Sequence, residues 1–359
     1  MNRASEGGMI LIKVVNKFRI VVSALLLCIA SCGDRNDEST SSESQSSDFR
    51  VALLTSGPVS DAGWHGSAYE GIKLIEQTLD AKISHQQTNT PAEFDEVLRA
   101  YASSNYKLIF AHGFEYQDAA IRVGEQFPEV TIIVSSGGRF SDNVIPLIFE
   151  LEEGSYMAGV VASRMTKTET IGMVGGVAIP PAEATFTGFE AGALSVNPDV
   201  EVLVSWIGSW DDVAMAKEAA TTLIRRGADV LIHNTDAASF GVFQAVREAR
   251  ALGEEVWAMG MNRNQNDVAP EVILGSAIIR IPEAFLQLAI LWTEGKMPSG
   301  EAYYAGGQSG AADYVVNPGL AGKYQPELMA EIDSVRLGII NGLISVPRIG
   351  FLERVGGSF

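Results

Sequence analysis

The segment Val51-Ala52-Leu53-Leu54-Thr55-Ser56-Gly57-Pro58-Val59-Ser60-Asp61-Ala62-Gly63-Trp64-His65-Gly66-Ser67-Ala68 decides the fold. Its apolar start predicts a buried strand, its Gly, Ser and Pro residues predict a loop, and apolar residues at helical spacing follow. Ligands of open α/β sheets bind at the carboxyl ends of strands, so this loop lies where a pocket would form. The loop carries Asp61, Trp64 and His65, which favours binding. A solvated loop whose tryptophan covers the sheet edge is an equal alternative.

The rest of the chain repeats this alternation of strand-like and helix-like segments as far as Thr293. Such alternation predicts parallel sheets with helices on their faces. The stretch Thr90-Pro91-Ala92-Glu93 predicts a capped helix start with proline at the first helical position. The alternation restarts near Ser155, which predicts two lobes with a cleft between them. Beyond Gly295 the pattern fades.

The first residues predict an export signal that is not part of the fold. Basic residues precede the apolar run 20–30, which is too short for a comfortable membrane span. The run ends in Ile29-Ala30-Ser31-Cys32, which resembles a bacterial lipobox and predicts lipidation of Cys32. The alternative is an ordinary signal peptidase site with an incidental cysteine. Residues 33–48 are polar and rich in serine, which predicts a flexible tether.

Composition excludes several classes of function. The formal net charge of −18 disfavours binding to nucleic acid or to anionic lipid, because both require clustered Lys and Arg. The only cysteines are Cys28 and Cys32, so the body has no disulfide and no thiolate chemistry. His65, His112 and His233 are scattered without metal-ligand spacing, so no metal and no cofactor are expected.

Many short motifs follow one another in the order of a known family. They include Asp61, Trp64, Ser67-Ala68-Tyr69-Glu70-Gly71, Gly113, Asp118-Ala119, Phe149, Glu153-Gly154-Ser155-Tyr156-Met157-Ala158-Gly159, Val174-Gly175-Gly176, Ile179-Pro180, Gly188-Phe189-Glu190-Ala191-Gly192 and Gly208-Ser209-Trp210-Asp211-Asp212. In this the chain resembles the basic membrane protein family of substrate-binding lipoproteins, which serve ABC importers and include purine-nucleoside receptors. The resemblance covers nearly all of the body to about Pro298.

The resemblance implies a fold and a division of the chain. The fold is α/β, of the type I periplasmic-binding architecture, with two doubly wound parallel-sheet lobes joined by a hinge. Chain crossings are expected near Phe149 and Ile281. The expected segments are a signal peptide (1–31), a tether (32–48), an N-terminal lobe (49–150 and 281–310), a C-terminal lobe (151–280) and a C-terminal segment packing across the lobes (311–359).

The resemblance also implies the binding residues. Trp64 and Trp210 stand where the family has phenylalanines that stack on the base, and His65 stands where it has an asparagine. Ser56 and Ser135 replace aspartates of the nucleoside receptors, the turn Asn234-Thr235-Asp236 replaces an Ala-Gly-Gly type turn, and Ile279 replaces a lysine. The expected ligand-binding residues are Ser56, Asp61, Trp64, His65, Gly113, Phe114, Ser135, Phe186, Trp210, Asn234, Asp236 and Asn262.

Some of these residues have a structural alternative. At least one of Trp206 and Trp210 is expected in core packing, and Trp210 is the better pocket candidate. Asp211 or Asp212 is expected to cap the following helix, and capping competes evenly with ligand binding at Asp236. Asn262 can both donate and accept, which suits the edge of a base.

The leading functional hypothesis is a lipid-anchored, extracytoplasmic binding protein of the bacterial cell membrane. It would capture a purine nucleobase or nucleoside and pass it to an ABC permease. One alternative is a sensor lipoprotein that binds the same ligands without transport. Another is an enzyme that acts on nucleosides, against which the sequence shows neither a Gly-Lys-Ser/Thr phosphate loop nor a Gly-x-Ser-x-Gly nucleophile elbow.

Overall fold

The computed structural model describes residues 49–61 and 63–355. The predicted signal peptide, the tether and the lipidation site Cys32 lie outside the described residues.

The strands are β1 (Arg50–Thr55), β2 (Lys82–Gln87), β3 (Leu108–His112), β4 (Thr131–Ser135), β5 (Arg139–Phe140), β6 (Val144–Phe149), β7 (Thr170–Gly175), β8 (Glu201–Trp206), β9 (Val230–Asn234), β10 (Trp257–Asn262), β11 (Ile273–Ile279), β12 (Tyr303–Ala305), β13 (Ala312–Val316) and β14 (Glu353–Arg354). The α-helices are α1 (Trp64–Leu79), α2 (Pro91–Ser103), α3 (Gln117–Gly124), α4 (Leu151–Met165), α5 (Pro180–Val196), α6 (Val213–Arg225), α7 (Ser239–Ala251), α8 (Ile281–Thr293) and α9 (Pro326–Ile340).

The strands form two six-stranded sheets, each the centre of one lobe. The first sheet has the order β12-β6-β4-β3-β1-β2, and the second has the order β13-β11-β10-β9-β7-β8. All pairs are parallel except that of β13 with β11. In each sheet the first strand of the lobe lies between the second and the third, which is the doubly wound order. The parallel sheets in two lobes confirm the predicted fold class.

Side chains of β1 show why both faces of the first sheet are covered. Val51 and Leu53 belong to a core cluster that includes residues of α1 and α8, whereas Ala52 and Leu54 belong to a cluster with residues of α2 and α3. Successive side chains of a strand point to opposite faces, so a continuous apolar run requires helices on both. The uninterrupted apolar pattern of the sequence therefore corresponds to a sheet buried on both faces.

Two helix starts follow the sequence signals. The side chain of Thr90 accepts a hydrogen bond from the Glu93 amide, with Pro91 at the first helical position of α2. Asp212 caps α6 by accepting from the Met215 amide at 2.9 Å, as predicted. Such caps satisfy amides that have no partner within the helix.

The chain passes between the lobes after β6 and after β11. α4 packs against α5, β11 and β13 of the second lobe, and α8 packs against α1 of the first. Beyond residue 295, where the sequence pattern fades, β12 extends the first sheet and β13 the second. Within residues 49–61 and 63–355, no helix is long and apolar enough to cross a membrane.

Candidate functional site

A cleft with an empty volume of about 620 Å³ lies between the two lobes. The first lobe contributes residues that follow β1 and β3, and the second contributes residues at the ends of β9 and β10. The walls also include Phe149, Leu151 and Ile279, where the chain passes between the lobes. The carboxyl ends of both parallel sheets thus face one space, which is where open α/β sheets bind ligands.

Most of the predicted binding residues meet in this cleft. Nine of the twelve line it, namely Ser56, Trp64, His65, Gly113, Phe114, Trp210, Asn234, Asp236 and Asn262. Residues that lie far apart in the sequence therefore surround one cleft with aromatic and polar groups. Their contact with a ligand stays a prediction.

Asp61, Ser135 and Phe186 are not brought to the cleft wall. The Asp61 carboxylate accepts hydrogen bonds from the amides of Gly63, His65 and Gly66, so it supports the start of α1. The Ser135 hydroxyl lies 2.8 Å from His112 Nδ1, and the next residue, Ser136, lines the cleft instead. Phe186 packs on Trp206 with ring centroids 4.8 Å apart.

The first aromatic wall is Trp64. Its ring stacks on the imidazole of His112, with centroids 4.1 Å apart and planes at 25°, and it meets Phe149 edge-on. His112 is itself held by Ser135 and lies 3.2 Å, through Nε2, from the carbonyl oxygen of Trp64. Burial lowers the pKa of His112 well below its usual value, so the imidazole is neutral. The indole is therefore fixed on one side before any ligand arrives.

The second aromatic wall, Trp210, depends on a glycine. A Cβ atom added to Gly176 would lie 2.3 Å from the Trp210 ring, so only glycine lets the indole approach this backbone. Gly175 plays the same part for Trp206, whose ring packs on Phe186. As predicted, Trp206 packs against other side chains and Trp210 lines the cleft.

The polar wall of the second lobe contains two residues with left-handed backbones. Asp236 has φ 44° and Asn262 has φ 70°, and Asn262 Nδ2 donates to Asp236 Oδ1 at 3.2 Å. Asn and Asp tolerate this region better than other side chains do, and such conformations cluster at binding sites. The Asp236 side chain caps no following turn, so of the two predicted alternatives the structure has the carboxylate in the cleft. Beside it, Asn234 Nδ2 donates to Thr185 Oγ1 at 3.1 Å.

Glu115 also lines the cleft, although it was not among the residues predicted from the sequence. Burial raises the pKa of its carboxyl group, and the nearby Ser56 side chain partly opposes this shift. The residue is exposed by surface area and lines the cleft. Its position after Gly113 and Phe114, at the end of β3, is the signal that could have identified it.

His65 adds a polar group without a partner. The residue is only 6% exposed, it lines the cleft, and its Nδ1 atom is buried with no hydrogen bond. Burial lowers its pKa to about 4, against the smaller opposing effect of Asp61, so the ring is neutral near pH 7. No group of three or more acidic, His or Cys residues suited to a metal ion occurs in the described part of the chain.

Comparison with known proteins identifies the family of the chain. The family model of Bmp, described as ABC transporter substrate-binding protein PnrA-like, matches residues 49–349. The chain belongs to the Bmp family. The resemblance inferred from the motifs is confirmed, and the chain is an ABC transporter substrate-binding protein of this family.

Individual relatives and structures agree with the family. The ABC transporter nucleoside-binding protein BmpA of Lactococcus lactis is 27% identical over 91% of this chain and 98% of its own length. A purine-binding protein of Brucella abortus is 29% identical over 64% of this chain and 65% of its own length. An ABC transporter solute-binding protein of Aeropyrum pernix has a TM-score of 0.75 at 22% identity, over 84% of this chain and 94% of that chain. The structural match confirms the type I periplasmic-binding fold.

Proposed function

We propose that this Bmp-family protein captures a purine nucleobase or nucleoside by closing its two lobes around the base, and delivers it to an ABC permease. The observation that carries the proposal is the position of two tryptophans, Trp64 and Trp210, one from each lobe, in a single cleft. Aromatic side chains offer flat faces on which a base can stack, largely independently of its identity.

The remaining walls suit such a ligand. Small-molecule sites are mostly apolar with a few placed polar groups, and the lining of this cleft has both kinds of residue. Asn234, Asp236 and Asn262 supply donors and acceptors at one side of the cleft. Two relatives named as nucleoside-binding and purine-binding proteins support the same ligand class.

Closure is supported by an ion pair between the two lobes. Arg263, which follows β10 of the second lobe, lies 3.3 Å from Glu70 in α1 of the first. The Glu70 side chain is exposed and that of Arg263 partly so, and ion pairs in contact with water add little to stability, so this pair can open without a large penalty. A weak contact of this kind is compatible with lobes that separate to admit a ligand.

A sensor that binds the same ligands without a permease, and an enzyme that acts on nucleosides, are the alternatives. The proposed role without catalysis predicts that a nucleoside is recovered unchanged after long incubation with the protein. Release of free base or sugar phosphate would support the enzyme instead. The proposed anchor predicts that Cys32→Ser releases the protein from membranes, and a variant that stays membrane-bound would refute it.

The direct test is a thermal-shift screen of the full chain against nucleobases, nucleosides, riboflavin, sugars and amino acids. A ligand present at about 100 times its dissociation constant adds roughly 2.7 kcal/mol of stability, which raises the melting temperature measurably. We expect shifts with purines or their nucleosides. Shifts with sugars or amino acids alone would overturn the proposed ligand and leave the fold unaffected.

A further inference from the structure

A buried hydrogen-bond network lies behind the polar wall of the cleft. His233 and Gln265 are each 1% exposed, Thr235 is fully buried, and none of the three lines the cleft. His233 Nε2 lies 2.9 Å from Gln265 Oε1, which also accepts a hydrogen bond from the Met261 amide at 2.9 Å. On the other side of the ring, His233 Nδ1 lies 3.3 Å from the Thr235 hydroxyl. The network therefore joins the end of β9 to the end of β10.

The Met261 amide fixes the direction of each hydrogen bond in this network. A backbone N–H can only donate, so the Gln265 atom that receives it is the oxygen of the side-chain amide. That oxygen can only accept, so His233 carries its proton on Nε2. Burial lowers the pKa of His233 to about 4, against the smaller opposing effect of Gln265, so the ring is neutral and Nδ1 has no proton. Nδ1 therefore accepts from the Thr235 hydroxyl.

The network takes the place of backbone pairing where β9 and β10 separate. Pairing of the two strands ends at Ile232 and Met259. A Cβ atom added to Gly260, the next residue of β10, would lie 2.5 Å from Ser276 Oγ and 3.0 Å from Gln265 Oε1, so glycine makes room for the glutamine. The Gln265 amide donates to Ser276 Oγ at 3.1 Å, which connects the glutamine to β11. One side chain thus links two strand ends that no longer pair with each other.

Both strand ends carry cleft residues with left-handed backbones. Asp236 directly follows the threonine of the network and has φ 44°, and Asn262 directly follows the methionine and has φ 70°. Such conformations persist where the surrounding structure holds them. Asn262 Nδ2 donates to Asp236 Oδ1 at 3.2 Å. The Ala238 amide, in the same turn as Asp236, donates to the carbonyl oxygen of Trp210 at 3.0 Å, so this turn also supports the second aromatic wall.

We propose that His233 and Gln265 are positioning residues for ligand binding, which hold the turns of Asp236 and Asn262 in the geometry that recognition requires. In this role neither side chain contacts the ligand. The inference rests on the proposed function, but it does not depend on which purine the cleft binds. Binding groups recognise a ligand with full affinity only when their supporting residues hold them in place, so loss of the network weakens binding even in a folded protein.

The first test measures the affinity of the full chain for adenine, guanine, adenosine and guanosine by calorimetry, and continues with the purine that binds most tightly. His233→Met and Gln265→Met keep side chains of similar size but remove the network, so we expect binding at least about tenfold weaker in each. His233→Gln restores a side-chain donor of similar reach, and we expect its affinity to lie within about threefold of wild type. Melting temperatures verify that each variant is folded.

A double-mutant cycle separates positioning from general stability. Asn262→Gly removes the positioned side chain, and glycine adopts the left-handed backbone without strain. In that background we expect Gln265→Met to weaken binding by about threefold or less, because the group that it positions is already absent.

The matched control is Asn317→Leu. Asn317 is 2% exposed and donates to the carbonyl oxygens of Pro270 and Ile273, near the start of β11 and so at the opposite end of the second sheet from the cleft. Its replacement should lower the melting temperature and leave the affinity unchanged.

Two measurements without ligand test the network directly. Nitrogen-15 spectra of the histidine-labelled chain, with the resonance assigned through His233→Gln, should show His233 neutral with its proton on Nε2 at pH 7.5. Hydrogen exchange at residues 235–238 and 260–263 should be faster in Gln265→Met than in wild type, and unchanged in Asn317→Leu.

The outcomes separate the inference from the proposed function. A proton on Nδ1 of His233, unchanged affinity in the folded His233→Met and Gln265→Met chains, or an undiminished effect of Gln265→Met beside Asn262→Gly would overturn the inference and leave a purine-binding protein. If none of the four purines binds the wild-type chain, the proposed function is overturned. Hydrogen exchange then decides the inference, because faster exchange at the two turns in Gln265→Met supports it and unchanged exchange refutes it.

Discussion

At the scale of single residues, Trp64 gives the sharpest test of stacking. Trp64→Ala should weaken binding of the best purine by roughly 1–3 kcal/mol, about 5- to 150-fold, because one stacking face is lost. Calorimetric titration measures the change. Trp64→Phe should retain most of the affinity, and Trp206→Phe, outside the cleft lining, should leave it unchanged. Full affinity in a folded Trp64→Ala chain would remove this indole from the binding site.

His65 should make stability depend on pH. Its pKa is about 4 in the folded protein against 6.5 for an unperturbed histidine, so the unfolded chain binds more protons between these values. Stability therefore falls as the pH drops from about 6.5 towards 4, by up to about 3 kcal/mol from this residue. His65→Asn should lack this contribution. Urea unfolding at several pH values should show wild type losing stability relative to the variant, and parallel curves would contradict the prediction.

The residue scale also shows what the sequence could and could not predict about the site. Residues at strand ends, such as Ser56 directly after β1 and Asn262 at the end of β10, could be predicted because parallel strands bring their carboxyl ends to one edge. Ser135 is not among the lining residues, because its hydroxyl lies against His112 and the next residue, Ser136, lines the cleft after β4 has ended. On α5, Thr185 lines the cleft, whereas its neighbour Phe186 packs on Trp206, so the contact of Phe186 with a ligand stays a prediction.

At the scale of elements, α4 and α5 cross in close contact through glycines. A Cβ atom added to Gly159 would lie 2.0 Å from the Phe189 carbonyl oxygen. We expect Gly159→Ala to destabilise the protein by about 1–3 kcal/mol, since forced separation of packed helices outweighs the higher helix propensity of alanine. Urea denaturation measures this loss. Gly322→Ala is the control, with no atom within 4 Å of the added carbon, and an equal loss there would refute the packing argument.

Elements differ in how well the sequence predicts them, and the cause is physical. From β1 to α8 most strands are apolar, β2 and β5 excepted, and the helices have periodic apolar faces, so local pattern and fold largely agree. β12 has only three residues and β14 has two, and both exist because a neighbouring strand supplies their hydrogen bonds. Strands that depend on a partner distant in the chain leave no local periodicity to detect.

At the scale of the whole molecule, the C-terminal strap, residues 345–355, runs across the connection between the lobes. Arg348 contacts three buried carboxylates where the chain leaves the first lobe, at 2.5 Å from Glu150, 3.7 Å from Glu152 and 2.9 Å from Glu153. Further along, the Phe351 ring meets Phe114 of the cleft wall edge-on, and β14 pairs with β5. The strap therefore contacts both the segment that follows β6, where the chain leaves the first lobe, and the wall of the cleft.

Replacement of Arg348 should show how much the stability of the protein depends on this residue at the connection between the lobes. Burial raises the pKa of Glu152 to about 7, partly offset by Arg348, so this carboxyl group binds more protons in the folded than in the unfolded chain between pH 4.5 and 7. Arg348→Met leaves three carboxylates without their cation. We expect a loss of about 1–3 kcal/mol at pH 7.5, below the cost of breaking a fully buried pair because the arginine is half exposed, and a smaller loss at pH 5, where protonation relieves the repulsion. Urea unfolding at both pH values measures the difference.

The control is Arg164→Met, which breaks an exposed pair with Glu331 and should cost about 0.5 kcal/mol or less at either pH. Equal losses for Arg348→Met at pH 5 and pH 7.5 would show that the three carboxylates do not depend on this arginine for their charge balance.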